Sequence, residues 1–509
     1  MQINIIEYLE ETISRTPERV AIIDANDRIS FSDLAMRSKA LAEEIVLRTG
    51  GGYNAPIGVF ISKSIMSVVS DMAATYSGNI YMNIDQKTPT LRVNSIIDTI
   101  KPALIITDTA GMTKLAECHC AVPLLNFDEF DRTVPRDEEA LLKRLDAVID
   151  TDPYCIINTS GSTGTPKGVV LNHKSFIDYV EWALNTFNFP EETIVGSLSP
   201  NVFDHSNYKL CLMIAKGATL VFLPHQYSAF PIKLLEIIKQ ERINYIFWVP
   251  SIMVNIANMD LLSTIELPDL RLVWFAGEVF PTKQFNYWHK ALPQVTFANL
   301  YGPTEITVDC TYYIVNRSLN DNEPIPIGFP CRNTDILILK DDNTPAVNGE
   351  EGELCVRGTS LAMGYYNNPE KTAAAFTQNP LNNSYPETIY RTGDIVYKNE
   401  LGEIIYKGRR DSLIKHMGYR IELGEIEHVV VNTLKIADNA CVVYNFAKKE
   451  ITLIYESKEE KDIAQMRRKI GEAFPKYMIP TAFIKMEELP RNMNGKIDRL
   501  KLSKGVNEE

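Results

Sequence analysis

Ile156-Ile157-Asn158-Thr159-Ser160-Gly161-Ser162-Thr163-Gly164-Thr165-Pro166-Lys167-Gly168-Val169 is the stretch on which the reading of this chain turns. An apolar run leads into it and Val169-Val170-Leu171 leads out. Between them lie five hydroxyl side chains, three glycines and a lysine. Glycines let a backbone turn its N–H groups toward one point, and hydroxyls add further donors. Lys167 supplies a full positive charge. This is the composition of a loop that wraps a polyphosphate. It is not the Walker pattern, in which the lysine directly follows a glycine and precedes Ser or Thr. Here Pro166 precedes Lys167 and Gly168 follows it.

Outward from that loop, bulk properties narrow the classes. A chain of 509 residues predicts two or more domains, and an apolar fraction of 45% suffices for packed cores. The formal net charge of −13 speaks against a general nucleic-acid binder, which needs a basic face. Residues 409–509 hold 19 Lys+Arg against 16 Asp+Glu, a balance of +3 that leaves −16 on the rest. The eight cysteines form no CxxC pair, and Cys118-His119-Cys120 lacks a second ligand pair at zinc spacing. They read as free thiols of a reducing compartment. The N-terminus has no basic n-region and no apolar run reaches membrane-span length, so a cytoplasmic protein without a membrane span is expected.

The periodicities predict an α/β protein. Ile6, Leu9 and Ile13 recur at helical spacing, and Pro17 ends that helix. Val20–Ile23 and Arg28–Phe31 flank turn residues as a hairpin. Strands at 57–61, 80–84 and 103–106 alternate with helices at 32–48, 64–76 and 89–100, the last with Pro89 in its first turn. Residues 131–152 are mostly polar and read as a connector. Beyond the Lys167 loop come a helix at 175–187 and strands at 219–223, 245–247 and 272–275. The segments 336–339 and 353–356 have hairpin character and open a β-rich section. From Gly408 onward a compact unit is expected, with helices at 421–431 and 461–474 and strands at 440–444 and 451–455.

Several further stretches appear in one order. They are Ser77-Gly78-Asn79-Ile80-Tyr81-Met82-Asn83-Ile84-Asp85, the Lys167 loop, Phe203-Asp204-His205-Ser206 and Asn299-Leu300-Tyr301-Gly302-Pro303-Thr304-Glu305. Gly352-Glu353-Leu354, Gly364-Tyr365, Tyr390-Arg391-Thr392-Gly393-Asp394 and Gly408-Arg409-Arg410-Asp411 follow. Gly418-Tyr419-Arg420-Ile421-Glu422-Leu423-Gly424-Glu425-Ile426-Glu427, Pro475-Lys476-Tyr477-Met478-Ile479-Pro480 and Asn494-Gly495-Lys496-Ile497-Asp498-Arg499 complete the set. Over nearly its whole length the chain resembles the adenylate-forming superfamily of nonribosomal-peptide adenylation domains, acyl-CoA synthetases and luciferases.

The resemblance implies an N-terminal adenylation core over 1–410 and a small α+β lid domain over 411–509, hinged at Asp411. It also implies attack of a carboxylate on the α-phosphate of ATP, with pyrophosphate released. Two anions must meet, so cations and oriented dipoles are required. Thr159, Ser160, Gly161, Ser162, Thr163, Gly164 and Lys167 would hold the β- and γ-phosphates. Glu305 would hold Mg²⁺, which prefers hard oxygen ligands. Tyr301, beside Gly302, offers a ring face for adenine, and Thr304 a hydroxyl near the α-phosphate. Asp394 can accept from both ribose hydroxyls, and Arg409 contacts the nucleotide. Lys496 would bridge the substrate carboxylate and the phosphate oxygens. After a swing about Asp411, Gly418 would line the passage of a phosphopantetheine thiol. No histidine is assigned an acid–base role.

Asp204 sets the substrate class. A buried unpaired carboxylate is costly, so it implies a cationic partner, the ammonium group of an amino acid. Its context departs from the usual apolar one, because His205, Asn207 and Tyr208 follow. Alignment to the neighbouring motifs adds His205, Tyr208, Trp248, Trp274, Ala276, Gly277, Leu300, Val308 and Asp309 to the pocket, Trp274 on firmer anchors than Trp248. Two indoles favour a small substrate: alanine of either hand, glycine or serine. Length and Gly277-Glu278-Val279 resemble D-alanine–carrier-protein ligases. The chain stops soon after Lys496, so a monomer acting on a separate carrier protein is expected. The alternatives are an acyl- or aryl-CoA ligase and a nucleotide-binding regulator without catalysis. Asp204 speaks against the first, and the intact Lys167, Glu305, Asp394 and Lys496 against the second.

Overall fold

A computed structural model of the chain describes residues 2–25, 27–160, 166–410, 413–437, 439–457, 459–491 and 497–508, with only the backbone of Leu500 and Glu508. Among the described residues the strands form five sheets. The largest runs in the order Phe329–Pro330, Thr311–Ile314, Thr296–Tyr301, Leu272–Phe275, Tyr245–Trp248, Ile194–Ser197, Thr219–Phe222, Val20–Ile23 and Arg28–Ser30. Its interior pairs are parallel and its edges antiparallel. A second sheet runs Gly364–Tyr365, Lys167–Asn172, Pro153–Thr159, Ile80–Asn83, Pro56–Phe60, Leu104–Thr107 and Leu124–Asn126. Both are buried by helices, which is why their strands are apolar in unbroken runs. In open sheets of this kind, ligands bind beyond the carboxyl ends of the strands. Trp248, Phe275 and Tyr301 stand at three such ends, and Thr159 at the end of Pro153–Thr159.

The alternation read from the sequence is present. The helices Ile5–Arg15, Phe31–Arg48 and Ile65–Tyr76 are capped by Asn4, Ser30 and Ser64, whose side chains accept first-turn N–H groups. The 336–339 and 353–356 pair is a true antiparallel one, Thr334–Leu339 with Gly352–Gly358. It belongs to a sheet completed by Phe376–Gln378, Thr388–Lys398 and Ile404–Arg409.

Several boundaries differ, four of them by more than the fraying of an end. The polar connector contains the helix Glu138–Leu145, started by Asp137 and buried only through Leu141 and Leu145. Two apolar positions one turn apart are too weak a period to stand out among charges. Pro89 is the cap of Thr90–Ile100 and not part of its first turn. Ile421 lies in the strand Tyr419–Glu422, with the helix beginning only at Leu423. Gly408 and Arg409 still pair with Thr388–Lys398, so the C-terminal unit begins after them.

That unit has its own core. Leu413–His416 and Tyr419–Glu422 form a ribbon, and Ala440–Asn445, Glu450–Glu456 and Ala482–Met486 a three-stranded sheet. Among the described residues no strand after residue 412 joins an earlier sheet. All eight cysteines are free; Cys118 and Cys120 are half-buried and the other six buried. No described helix is long and apolar enough to cross a membrane.

Candidate active site

A cavity of about 140 Å³ lies between the carboxyl ends of the large sheet and the Tyr419 ribbon. Asp204, His205, Trp248, Ala276, Gly277, Val308 and Asp309 line one side of it, all named from the sequence. Phe203 precedes the helix Asp204–Lys216, and Asp204 opens it. A carboxylate in a first helical turn faces the positive end of the helix dipole. Its Oδ1 accepts the His205 backbone N–H at 2.7 Å, and the His205 ring lies 3.7 Å away. Burial holds that ring below its ordinary pKa, against the pull of Asp204, so it is neutral at pH 7. Among the described residues Asp204 has no lysine or arginine partner within 4 Å.

Asp309 is buried and accepts from the Tyr179 hydroxyl at 2.8 Å. Burial outweighs that hydrogen bond and pushes its carboxyl up to about 8. The residues before it are strained: Thr307 and Val308 have φ of 54° and 68°. Such values are rare for β-branched residues and persist only when surroundings impose them. Thr307 is tied by its hydroxyl to the Ser360 carbonyl at 2.9 Å, and the Cys310 N–H to the Tyr301 carbonyl at 2.8 Å. This turn delivers Val308 and Asp309 to the cavity.

Tyr208, Trp274 and Leu300, also named for the pocket, are buried, and Tyr208 and Trp274 pack on Phe247 of its wall. Trp274 and Tyr208 stack at 5.5 Å between centroids with planes 4° apart. Trp182, Phe187, Phe189, Tyr245 and Phe247 surround the indole. They enclose the indole on the Phe247 face of the sheet, whereas Trp248 packs on the other face with Met253 and Phe275. Register sets Trp274 beside Phe247, which lines the cavity, and the pleat turns the next residue, Trp248, to the opposite face of the sheet.

The opposite side carries the residues named for the nucleotide. Thr159, Ser160, Gly302, Thr304 and Gly418 line the cavity. Gly161, Ser162, Thr163, Gly164, Asp411 and Lys496 lie outside the described residues. Lys167 Nζ stands 3.9 Å from Glu422 Oε1 and 5.3 Å from the Tyr365 ring centre. Glu305 is fully buried and takes the Tyr365 hydroxyl at 2.8 Å and Arg420 Nη1 at 2.5 Å. Burial alone would raise its pKa, but the Arg420 charge and the Tyr365 hydrogen bond reverse the sign and hold it low. Both oxygens of Asp394 are engaged, Oδ1 by Arg409 Nη1 at 3.0 Å and Oδ2 by the Tyr301 hydroxyl. Lys415 Nζ lies 5.5 Å from the centre of the Tyr301 ring. Gly418, at φ 81°, donates its N–H to Glu278 Oε1 at 2.8 Å, and a Cβ there would come within 2.7 Å of Val249.

Magnesium fits this donor set. Among the described residues no group of three or more His, Cys, Asp or Glu could hold a metal. Mg²⁺ shared between substrate phosphates and one carboxylate needs no such group. Glu305, freed of Arg420, would be such a carboxylate.

Sequence reading missed several polar neighbours. Lys209 Nζ donates to Ser199 Oγ at 3.2 Å, and His205 Nε2 meets the same oxygen at 2.5 Å. Burial lowers the Lys209 amine to about 7. Lys209 follows His205 by one helical turn, a spacing that could have revealed it. Tyr179 and Ser199 carry no motif and are brought in by the fold alone.

Residues 9–366 match the family described as AMP-binding enzyme. Zwittermicin A synthase ZmaJ of Bacillus cereus is 30% identical over 97% of this chain and 93% of its own length. Gramicidin S synthase 1 of Brevibacillus brevis is 30% identical over 97% of this chain, which spans only 44% of that relative. The Vibrio cholerae adenylation domain AlmE, solved with glycyl-adenosine-5′-phosphate, superposes with a TM-score of 0.86 over 100% of this chain and 98% of its own. It is 21% identical, and shares the fold.

Proposed function

The chain belongs to the AMP-binding enzyme family, and on that premise we propose that it activates a small amino acid as its aminoacyl-adenylate. In this reading it passes the acyl group to the phosphopantetheine thiol of a carrier protein. The substrate carboxylate oxygen bonds to the α-phosphorus of ATP, the α–β bridge breaks, and pyrophosphate leaves. The thiol then attacks the acyl carbonyl, the C–O bond to AMP breaks, and the thiol proton is released to water.

The observation that carries the reading is Asp204. It is a nearly buried carboxylate on the cavity wall with a neutral histidine beside it and, among the described residues, no lysine or arginine within 4 Å. An α-ammonium group completes it. A carboxylic acid without an amine would leave it unpaired at a cost of several kcal/mol, which disfavours the acyl-CoA ligase reading.

Thr159, Ser160 and Lys167, with the loop over 161–164, take the phosphate charge. Thr304 offers a hydroxyl to the α-phosphate, Tyr301 and Gly302 flank the base, and Asp394 takes the ribose after Arg409 turns to the nucleotide. Mg²⁺ held at Glu305 would neutralise phosphate charge when bound. Lys496 brings the substrate carboxylate and phosphate oxygens together. Residues 1–410 form the adenylating core, and 411–509 change position about Asp411 between the two steps. Gly418 then leaves a passage for the thiol. Trp248 and the Trp274–Tyr208 stack against Phe247 restrict the side chain to that of glycine, alanine or serine. Asp309 favours a hydroxyl among these.

The test is exchange of labelled pyrophosphate into ATP with a panel of D- and L-amino acids. Small acids should support it, and Asp204→Ala should lower it about 100-fold or more, as for loss of a buried charge-assisted contact. Exchange with acids that lack an α-amine, and not with amino acids, would overturn the reading. Preference for an aromatic or long basic acid would overturn the size restriction alone.

A further inference from the structure

Lys209 is a buried group that the proposed reaction does not use. It is wholly out of water, and among the described residues no carboxylate lies within 4 Å of its amine. A buried cation without a counter-ion costs stability, so its place needs a reason. Among the described residues the amine makes one hydrogen bond, to Ser199 Oγ at 3.2 Å. Ser199 Oγ also meets His205 Nε2 at 2.5 Å, and His205 Nδ1 lies 3.7 Å from Asp204 Oδ1. Four side chains thus run in line from the interior to the cavity wall. Lys209 and His205 lie one turn apart on the helix Asp204–Lys216. The middle of the line is held from outside. Lys63 Nζ donates to the Ser197 and Ser199 carbonyls at 2.7 and 2.8 Å and to Ser197 Oγ at 2.9 Å, which pins the segment carrying Ser199. The Phe203 ring stacks on His205 at 5.4 Å with planes 20° apart.

The chemistry of its two ends gives the line one direction. A lysine amine has N–H groups to give, and a hydroxyl that accepts one still has its own proton to donate. Ser199 then donates to His205 Nε2, and the neutral ring carries its proton on Nδ1. The reverse direction would turn the Nδ1 lone pair on the Asp204 carboxylate. We propose that Lys209 and Ser199 are positioning residues for the amino-acid site: they fix the tautomer of His205, which holds Asp204 by Oδ1 and presents Oδ2 to the substrate ammonium group. The His205 backbone N–H is on the same oxygen at 2.7 Å, and among the described residues no hydrogen bond is made to Oδ2. An aspartate aimed by neutral donors has its ion pair still to make, whereas one aimed by an arginine would have made it. Lys209 and Ser199 do not line the cavity, so they act through His205. The inference rests on the adenylating reading above for the ammonium group, but not for the hydrogen-bonded line itself.

Imidazole nitrogen NMR and pyrophosphate-exchange kinetics on the full chain test it. The His205 signals, identified by their loss in His205→Gln, should show a proton on Nδ1 and a bare Nε2. A proton on Nε2 in the wild type would overturn the proposal. Lys209→Met keeps the length of the side chain and removes the donor. The KM for the amino acid should rise about tenfold, the size of one lost hydrogen bond to a charged group. The kcat and the KM for ATP should stay within about twofold, because only substrate binding is touched. No rise, or an equal loss in kcat, would overturn the proposal. Thermal unfolding separates this from a structural role. An apolar side chain in place of a buried cation should leave the Tm equal or higher, so weaker binding in a protein at least as stable is the expected pair. Weaker binding with a lower Tm would mean damaged packing and would overturn it. Should Lys209→Met not fold, Ser199→Ala, which breaks the same line, must raise the amino-acid KM alike and shift the His205 proton toward Nε2. Without both changes the proposal falls. If Nδ1 carries the proton yet no amino acid supports exchange, the hydrogen-bonded line stands and the adenylating reading falls.

Discussion

Glu305 and Asp309 stand four positions apart in the same short segment, both withdrawn from water, and are shifted in opposite directions. Burial raises both. Glu305 has a guanidinium at 2.5 Å, which overcomes burial and holds it ionised. Asp309 has only a tyrosine hydroxyl at 2.8 Å, which does not. The one partner sits on the C-terminal ribbon, the other on the helix His173–Thr186 of the large domain. The difference separates two ways of shaping one cavity. The Asp309 end is set by packing and by a fixed hydroxyl. The Glu305 end is set by charges on a ribbon that, among the described residues, no sheet joins to the earlier strands.

The largest effect expected from this contrast is at the packed end. Trp274→Ala removes a fully buried indole from its ring of aromatics and should cost about 3–5 kcal/mol. Thermal unfolding should show the N-terminal transition lowered while the C-terminal one is unmoved. Pyrophosphate exchange should extend to larger amino acids, since the space behind Phe247 is hollowed. Unchanged stability would mean that the packed end is as replaceable as the charged one.

A smaller effect is expected at the ribbon. Gly418→Ala places a Cβ at φ 81° and within 2.7 Å of Val249. The left-handed conformation alone costs about 1–2 kcal/mol for an L side chain. Transfer to the carrier should fall about tenfold, with pyrophosphate exchange kept or raised. Equal loss of both activities would show that the ribbon and the fixed wall act as one body.

The last effect is a pH dependence. The native Asp309 carboxyl titrates near 8 and its unfolded counterpart near 3.8. Between those values the native state binds a proton that the unfolded state has lost, so stability falls as pH rises through that window and levels off above it. Asp309→Asn should remove that slope from denaturant midpoints measured across the window. Glu305 has the opposite sign: its lowered pKa contributes stability above its unfolded value of 4.5, lost as pH falls below it. A slope that survives Asp309→Asn would place its origin elsewhere.

Which of these features could be read from the chain alone follows the same division. Asp204, Thr304, Glu305 and Gly418 sit inside short motifs, and the structure brings Asp204, Thr304 and Gly418 to the cavity wall, with Glu305 buried directly behind Thr304. Strand and helix order was legible because buried parallel strands are apolar throughout and helix caps are local. Which of Trp248 and Trp274 shares the face of Phe247 was not legible, since a one-residue register decides the side to which a strand side chain points. Tyr179 is 130 positions from its partner Asp309, and nothing local announces such a pair. Arg420 and Glu422 were quoted only as parts of a motif. Their partners depend on where the ribbon docks, and docking between two separately cored units leaves no period in a sequence.

The six buried thiols have a practical consequence for any such experiment. Five of them, Cys155, Cys211, Cys310, Cys331 and Cys355, lie in the first 409 residues, and Cys441 alone lies in the C-terminal unit. A thiol reagent cannot reach any of them without local opening. Mass-resolved labelling under mild denaturant therefore times the opening of each unit separately. Cys441 is the clock of the smaller one, and no engineered probe is needed.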